Sequence, residues 1–439
     1  MSALSDRVRT FVAPYQPKTE RGQKWLRISG IVALILILLL IPHISTDQDG
    51  ILPLSTVVLC ALYSLFALGL NIVVGFAGLL DLGYVAFFLF GAYTAAWLMS
   101  DFGYQVSSGT DATKHQFSFN VHFWSAALNS IKGIHLSFWL VILAAAVVAS
   151  LGGLMIGAPT LRLKSDYLAL VTLGFGEILP EVFRNTGNIR GFNLTNGTKG
   201  IGPVDEISMG YLHNLPSLPI IGKVPSSIAP SDDQWRYYVI IVFCALFVFA
   251  SQQLRSGKLG RAWQAIREDE LAASLMGVPL MRTKLWSYAV GAIAGGVGGA
   301  FFATVVGTVS VDTFQFSFSI IVLCAVILGG MGNVWGAITG AVVIEWFDHS
   351  GLKWLARQYN DNLGTHIGLH INLPDYEFGL FGLVLVLMML FRPQGIIPAA
   401  RARQVRQAEA QVLEHDKLGY GLESGVDALP HHAKHEAQS

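Results

Sequence analysis

The sequence has little charge and little cysteine. Charged residues make up 13% of its 439 positions and apolar residues 53%, whereas a soluble domain carries about a quarter charged residues. The 29 lysines and arginines balance the 29 aspartates and glutamates, so there is no overall basic surface of the kind that binds nucleic acid. Cys60, Cys244 and Cys324 lie singly inside apolar runs, which excludes a disulfide framework and a clustered cysteine metal site.

Motifs of nucleotide-binding and hydrolytic sites are absent as well. The sequence contains no G-x-x-x-x-G-K-[ST] loop, no G-x-G-x-x-G, no H-E-x-x-H and no G-x-S-x-G, although such sites depend on these patterns. The glycine-rich stretch 291–299 lies inside an apolar run, where glycine favours close helix packing. We therefore predict no catalytic residue, no cofactor or metal and no ATPase site in this chain.

Long apolar runs dominate the sequence and predict transmembrane helices, each of which needs about 20 mostly apolar residues. Eight runs have this character: 28–45, 51–70, 83–99, 136–158, 165–183, 237–254, 285–307 and 376–391. The run 316–347 is too long for one span, and Gly-Gly-Met-Gly-Asn at 329–333 predicts a hairpin of two shorter helices. The expected fold class is an all-α polytopic transmembrane bundle of about ten helices, with a range of eight to ten.

The stretch 71–82, NIVVGFAGLLDL, is apolar and punctuated by glycine, which is typical of a re-entrant or broken helix buried in protein. Its Asn71 and Asp81, together with Glu177, are candidate residues of a translocation pathway. Glu177 lies 12 residues after Ser165, roughly 18 Å along a helix and so near the middle of a bilayer core about 30 Å thick. The alternatives are structural: a helix–helix hydrogen bond for Glu177 and a helix N-cap for Asp81.

The distribution of lysine and arginine orients the bundle. Segments 1–27, 159–164, 255–284 and 392–439 carry 20 of these residues, whereas 47–50, 100–135, 184–236 and 349–375 carry 9. Cytoplasmic loops are enriched in Lys and Arg, so both termini are expected in the cytoplasm. The expected organisation is a cytoplasmic segment 1–27, a transmembrane domain 28–398 with an outer loop 184–236, and a cytoplasmic tail 399–439. Residues 101–122 are interpreted as an insertion without an assigned role.

The loop 255–284 is the most informative cytoplasmic segment. Trp263, Ile266, Leu271 and Leu275 recur at helical spacing, and residues 267–270 form a dense cluster of charge. Gly277, followed by Val-Pro, is expected to end the helix. A helix lying on lipid usually has a basic polar face, whereas this face is mixed and acidic, so the pattern favours docking to another protein.

The loop 255–284 and four other segments resemble one known family. The segment 260–278, GRAWQAIREDELAASLMGV, resembles the coupling loop of LivM-type permeases, a family of membrane subunits of bacterial branched-chain amino acid ABC importers. Four other segments resemble the same family in the same order: 68–83 (LGLNIVVGFAGLLDLG), 161–178 (LRLKSDYLALVTLGFGEI), 328–336 (LGGMGNVWG) and 391–398 (FRPQGIIP). One departure concerns the importer pattern E-A-A-x-x-x-G, because Leu271 stands where Glu is expected and Glu270 lies one place earlier.

The resemblance implies a permease of the ABC importer type in the bacterial inner membrane. Its implied partners are a second, LivH-type permease, two ATP-binding subunits, a periplasmic substrate-binding protein and membrane lipid, with branched-chain amino acids (Leu, Ile, Val) as cargo. The implied coupling residues are Arg261, Ala262, Arg267, Glu268, Asp269, Glu270, Ala273 and Gly277. Import of urea or short amides by the same architecture, and an ion-coupled secondary transporter, remain alternatives.

Overall fold

The computed structural model describes residues 38–43, 52–102, 121–123, 133–163, 165–187, 189, 193–207, 232–360, 376–392 and 395–397. The predicted segments 1–27 and 399–439, most of the run 28–45 and residues 103–120 lie outside these. The described residues form twelve α-helices: α1 Leu54–Leu70, α2 Val85–Leu98, α3 Phe138–Thr160, α4 Ser165–Asn185, α5 Asp232–Ser256, α6 Lys258–Glu268, α7 Glu270–Leu275, α8 Leu280–Val306, α9 Phe316–Gly329, α10 Val334–Trp346, α11 Leu352–Tyr359 and α12 Glu377–Phe391.

Five helical segments of the described chain are long and apolar enough to cross a membrane: Leu54–Phe76, Phe138–Thr160, Asp233–Ser256, Leu280–Val306 and Val311–Gly329. Shorter apolar helices lie at Val85–Leu98 and Gly379–Met388. Helices satisfy their own backbone groups, which is what a chain in lipid requires. The prediction of an all-α, multi-pass membrane protein is therefore confirmed. The run 165–183 does form the single helix α4, but its acidic residues keep it outside the set of five.

Helix α8 lies at the centre of the bundle and packs against α1, α2 and α3. The contact with α2 is backbone to backbone, because a Cβ atom at Gly91 would lie 2.0 Å from the carbonyl oxygen of Gly296. Next to it, the rings of Phe88 and Phe318 stack with their centres 4.5 Å apart. The glycines of 291–299 thus serve close helix packing, as the sequence predicted.

The run 316–347 forms the predicted hairpin, with α9 and α10 joined by a tight turn. The helices are nearly in backbone contact, since a Cβ atom at Gly340 would lie 1.9 Å from the carbonyl oxygen of Ala325. Asn333 caps α10 by accepting a hydrogen bond from the Trp335 N–H at 3.2 Å. The backbone N–H of Ile396 in turn donates to the carbonyl of Leu328 at 2.8 Å, so the segment 395–397 is fastened to the turn.

A small sheet lies at the end of α8 opposite the loop 255–284. Its strands are β1 Met99–Ser100, β2 Val121–Phe123 and β3 Ile134–Leu136, in the order β1-β3-β2, with β1 antiparallel and β2 parallel to β3. His135 of β3 is 2% exposed, and its ring nitrogens bond Asp205 at 2.7 Å and Asp101 at 3.0 Å. The segment 193–207 is thereby held against the sheet and against the end of α8.

Candidate coupling site

The loop between α5 and α8 folds into two short helices, α6 and α7, rather than the single helix that its apolar spacing predicts. Asp269 separates them with an extended backbone, φ −154° and ψ 112°. Its side chain accepts a hydrogen bond from the Ala272 N–H at 2.9 Å and so caps α7. An aspartate in this position satisfies one of the unpaired donors at a helix start, which is why the chain begins a new helix here.

The break divides the apolar residues of the loop between two surfaces, whereas the sequence placed them on one. Trp263 is fully buried against its own chain and donates from Nε1 to the carbonyl oxygen of Thr283 at 2.7 Å. Ile266 is also buried, whereas Leu271, Leu275 and Met276 are 71%, 80% and 85% exposed. We call these three exposed residues the apolar tip. Apolar side chains exposed together are typical of a surface that a protein, a membrane or a ligand covers.

Helix α7 ends as predicted at Gly277, which has φ +86°. The N–H of Gly277 donates to the carbonyl of Ser274 and that of Val278 to Ala273, at 3.0 and 3.1 Å. This pattern closes a helix that is followed by a left-handed residue, a conformation that glycine adopts without strain. The turn fixes the apolar tip relative to α8.

The other predicted coupling residues have distinct surroundings. Arg261 donates to the carbonyl of Ser256 at 3.1 Å. Glu270 is half exposed and bonds the buried Lys284 at 2.5 Å, which links α7 to α8. Glu268 is exposed, Ala262 is half-buried and Ala273 is buried.

Arg267 extends from the last turn of α6 into a notch lined by glycine. Its guanidinium donates from Nη1 to the carbonyl oxygen of Gly75. A Cβ atom at Gly78 would lie 2.6 Å from Cγ of Arg267, and one at Gly332 would lie 2.9 Å from Nη1. A side chain at Gly78 or Gly332 would therefore displace Arg267 from this position. Through Arg267 the loop reaches both the stretch 71–82 and the hairpin turn.

The stretch 71–82 is a broken helix, as its sequence predicts. The α-helix α1 passes into a π-helical turn, Asn71–Phe76, after which the backbone leaves the helix until α2 begins. Oδ1 of Asn71 accepts a hydrogen bond from the buried Gly332 N–H at 2.8 Å. The break, the hairpin turn and α6 therefore meet at one place, the loop-end junction, formed by Asn71, Gly75, Gly78, Arg267 and Gly332.

The family follows from sequence comparison. The model of the family described as "Branched-chain amino acid transport system / permease component" matches residues 52–389. The chain belongs to this family. The match spans α1 to α12 and includes the loop-end junction.

Curated members of the family support the assignment. The chain is 33% identical to the high-affinity branched-chain amino acid transport system permease protein LivM of Salmonella typhimurium, over 77% of this chain and 68% of that protein. It is 33% identical to LivM of Escherichia coli K12, over 78% and 69%. Its identity to the permease protein LivH of Salmonella typhimurium is 23%, over 80% and 95%. No solved structure matches the chain.

The three predicted pathway residues occupy different surroundings in this permease. Asn71 belongs to the loop-end junction. Asp81 is buried and accepts from the Gly83 N–H at 2.9 Å. It is not the N-cap of α2, which begins at Val85 after Tyr84. Glu177 is exposed on α4.

The sequence prediction missed one buried acid, Glu345 of α10. Its side chain is 1% exposed, and its Oε2 has no hydrogen-bond partner among the described residues. A signal was available, because Glu345 is the single charged residue of the run 316–347 and an acid inside an apolar span is a functional candidate by default. Residue spacing alone gave no reason to rank it above Asp81 or Glu177.

Proposed function

We propose that this chain is the membrane permease subunit of an ATP-driven importer of branched-chain amino acids, and that it forms half of the translocation pathway. The observation that carries the proposal is the 33% identity to LivM proteins over about three quarters of the chain. The aligned length is enough to include the helix break, the loop and the hairpin rather than one motif. Leucine, isoleucine and valine are the proposed cargo.

The apolar tip supports the proposal that ATP is hydrolysed by subunits on other chains. Leu271, Leu275 and Met276 are largely exposed next to the acidic residues Glu268 and Asp269, a surface better suited to a protein groove than to lipid headgroups. We assign this surface to a groove on one of two ATP-binding subunits. In this role Arg261, Ala262, Glu270, Ala273 and Gly277 shape the loop, and hydrolysis of ATP by the partner moves it.

The exposed side of α4 supports a second permease. Glu177 lies on this helix and is exposed among the residues that the structure describes, and an acid at this depth is costly against lipid. We propose that this side faces the pathway where a LivH-type permease completes the pore, with Asp81 behind it. A periplasmic binding protein would deliver cargo at the loop 184–236. This arrangement places both termini in the cytoplasm and the bundle in the bacterial inner membrane.

Co-expression with a LivH-type permease, two ATP-binding subunits and a substrate-binding protein tests the proposal. The complex is expected to co-purify and, in liposomes, to hydrolyse ATP faster when leucine-loaded binding protein is added. If urea or acetamide stimulates ATP hydrolysis and leucine does not, the cargo is urea or a short amide rather than a branched-chain amino acid. Uptake driven by an ion gradient without ATP would overturn the proposal in favour of a secondary transporter.

A matched pair of variants locates the ATPase contact. Leu275→Asp places a charge in the apolar tip and is expected to abolish co-purification of the ATP-binding subunits. Gln252→Asp places the same charge at an exposed position near the end of α5 and is expected to leave the complex intact. If the Leu275→Asp variant retains the ATP-binding subunits, their contact with the permease lies outside the apolar tip.

A further inference from the structure

The loop 255–284 has three attachments to the transmembrane helices among the contacts described above. The hydrogen bond of Trp263 to Thr283 joins α6 to the start of α8. The ion pair of Glu270 with Lys284 joins α7 to the start of α8, the next helix along the chain. Arg267 instead joins α6 to parts of the chain that are remote in sequence, the helix break and the hairpin turn. Of the three, only the Arg267 contact joins the loop to elements that local chain connectivity would not already move.

The acceptor of Arg267 is suited to a cation. The helix ends at Phe76, so the carbonyl group of Gly75 has no donor from a following helical turn. A positive charge at the end of a helix also interacts favourably with its dipole. The side chain therefore completes the C-terminal end of the broken helix, and it does so from a different element.

Arg267 is exposed as a residue, but two glycines lie close to its stem and its guanidinium group. Gly78 contacts its aliphatic stem and has φ +71°, while Gly332 lies against Nη1 and has φ +82°. The same Gly332 donates to Asn71 across the junction at 2.8 Å. Because hydrogen bonds keep donor–acceptor distances of about 2.7–3.2 Å and weaken steeply when they are misaligned, a displacement of α6 must either carry the break and the turn with it or break these contacts.

We infer that Arg267 is the positioning residue that transmits movement of the loop 255–284 to the broken helix and the hairpin turn. The inference rests on the proposed function, in which ATP-binding subunits move the loop. It adds the route inside the permease: Arg267 shifts the C-terminal end of the helix through Gly75, and the bond from Gly332 to Asn71 carries the turn with it. The two elements respond together because one side chain occupies the space between them.

Hydrogen exchange of the complete importer tests this route. The complex is compared without nucleotide and trapped with ADP–vanadate, in peptides covering 269–277, 71–80 and 329–335. In the wild type, trapping is expected to change exchange in all three peptides. A change confined to 269–277 would overturn the inference while leaving the proposed function in place. Absence of bound ATP-binding subunits would overturn both, and it is read first by co-purification.

Arg267→Met keeps an unbranched apolar stem but removes the guanidinium group and its donors. The variant is expected to retain the exchange change in 269–277, to lose it in 71–80 and 329–335, and to import about tenfold less leucine per ATP hydrolysed, within the usual range for coupling between two sites. Arg282→Ala removes an exposed arginine at the start of α8 and is the matched control. Wild-type behaviour of Arg267→Met would overturn the inference. If the Arg267→Met complex fails to assemble, the test is the exchange pattern of the wild type, in which a change confined to 269–277 would overturn the inference.

Discussion

Oδ1 of Asn71 and the backbone nitrogen of Gly332 lie 2.8 Å apart, although 261 positions separate the two residues in the chain. Each belongs to a segment in which a transmembrane run loses its helical backbone. Each segment is rich in glycine, so few side chains are available to hold it in place. The bond therefore fixes two interruptions of the bundle relative to each other, and Arg267 adds the loop to the same place.

Removal of the Asn71 side-chain amide is the first test of this relationship. Asn71→Ala leaves the buried Gly332 N–H without its acceptor, which is expected to lower the free energy of unfolding by ~1–3 kcal/mol. Thermal unfolding of the purified permease measures the loss. Asn185→Ala, at an exposed position on α4, is the control and is expected to be neutral. Unchanged stability of Asn71→Ala together with lost uptake would assign Asn71 to the pathway instead.

Local patterns in the sequence predicted the interruptions themselves. The glycines at 329, 330 and 332 before Asn333 predicted the hairpin turn, and Gly277 before Val-Pro predicted the end of α7. Both predictions were possible because the residues that form a turn are adjacent in the sequence. The partners across the junction were not predictable in this way. Arg267 finds its acceptor at Gly75, 192 positions earlier in the chain, and no spacing rule links the two.

The loop shows a second limit of sequence patterns. Helical spacing grouped Trp263 and Ile266 with Leu275, yet the first two are buried in their own chain and the third is exposed. The cause is Asp269, a good N-cap residue that starts a new helix with its own phase. Residue spacing predicts a shared face only within one continuous helix. It therefore fails for residues on opposite sides of the break at Asp269, which the spacing does not reveal.

Glu177 distinguishes the pathway role from a structural one. The side chain is exposed on α4, so Glu177→Gln is expected to change the stability of the isolated chain by no more than about 0.5 kcal/mol. In the complete importer it is expected to reduce uptake severalfold, because the charge faces the proposed pathway. Glu181→Gln, one turn along α4, removes a charge that already bonds Arg184 and Asn185 and serves as control. Normal uptake by an assembled Glu177→Gln complex would exclude the pathway role.

The ion pair of Glu270 and Lys284 predicts that removing one charge destabilises the protein more than removing both. Lys284 is 4% exposed, so Glu270→Gln leaves a buried ammonium without its counter-charge and is expected to destabilise the loop by ~1–3 kcal/mol. The double variant Glu270→Gln/Lys284→Met removes both charges and is expected to recover most of that loss. Thermal unfolding of the single and double variants measures the difference. Equal stability of Glu270→Gln and the wild type would show that the pair contributes nothing.

The sheet of β1, β2 and β3 is expected to loosen as the pH rises. Hydrogen bonding to Asp205, reinforced by Asp101, raises the pKa of His135 above its usual 6.5, although burial acts in the opposite direction. A pKa that is higher in the folded state stabilises the fold fully below the unfolded value and no longer does so above the folded value. Amide exchange in 99–100 and 134–136, corrected for its intrinsic pH dependence, is therefore expected to be slow near pH 6 and to accelerate as His135 loses its proton.

His135→Gln removes the titrating group, so in this variant the corrected exchange in the same strands is expected to be independent of pH across that window. Peptides from the core of α8, at 291–299, provide the internal control, because no titrating group lies among those residues. Retention of the wild-type pH dependence by His135→Gln would assign it to another group. Loss of the dependence together with faster exchange at pH 6 would show that the charged imidazole holds Asp101 and Asp205 to the sheet.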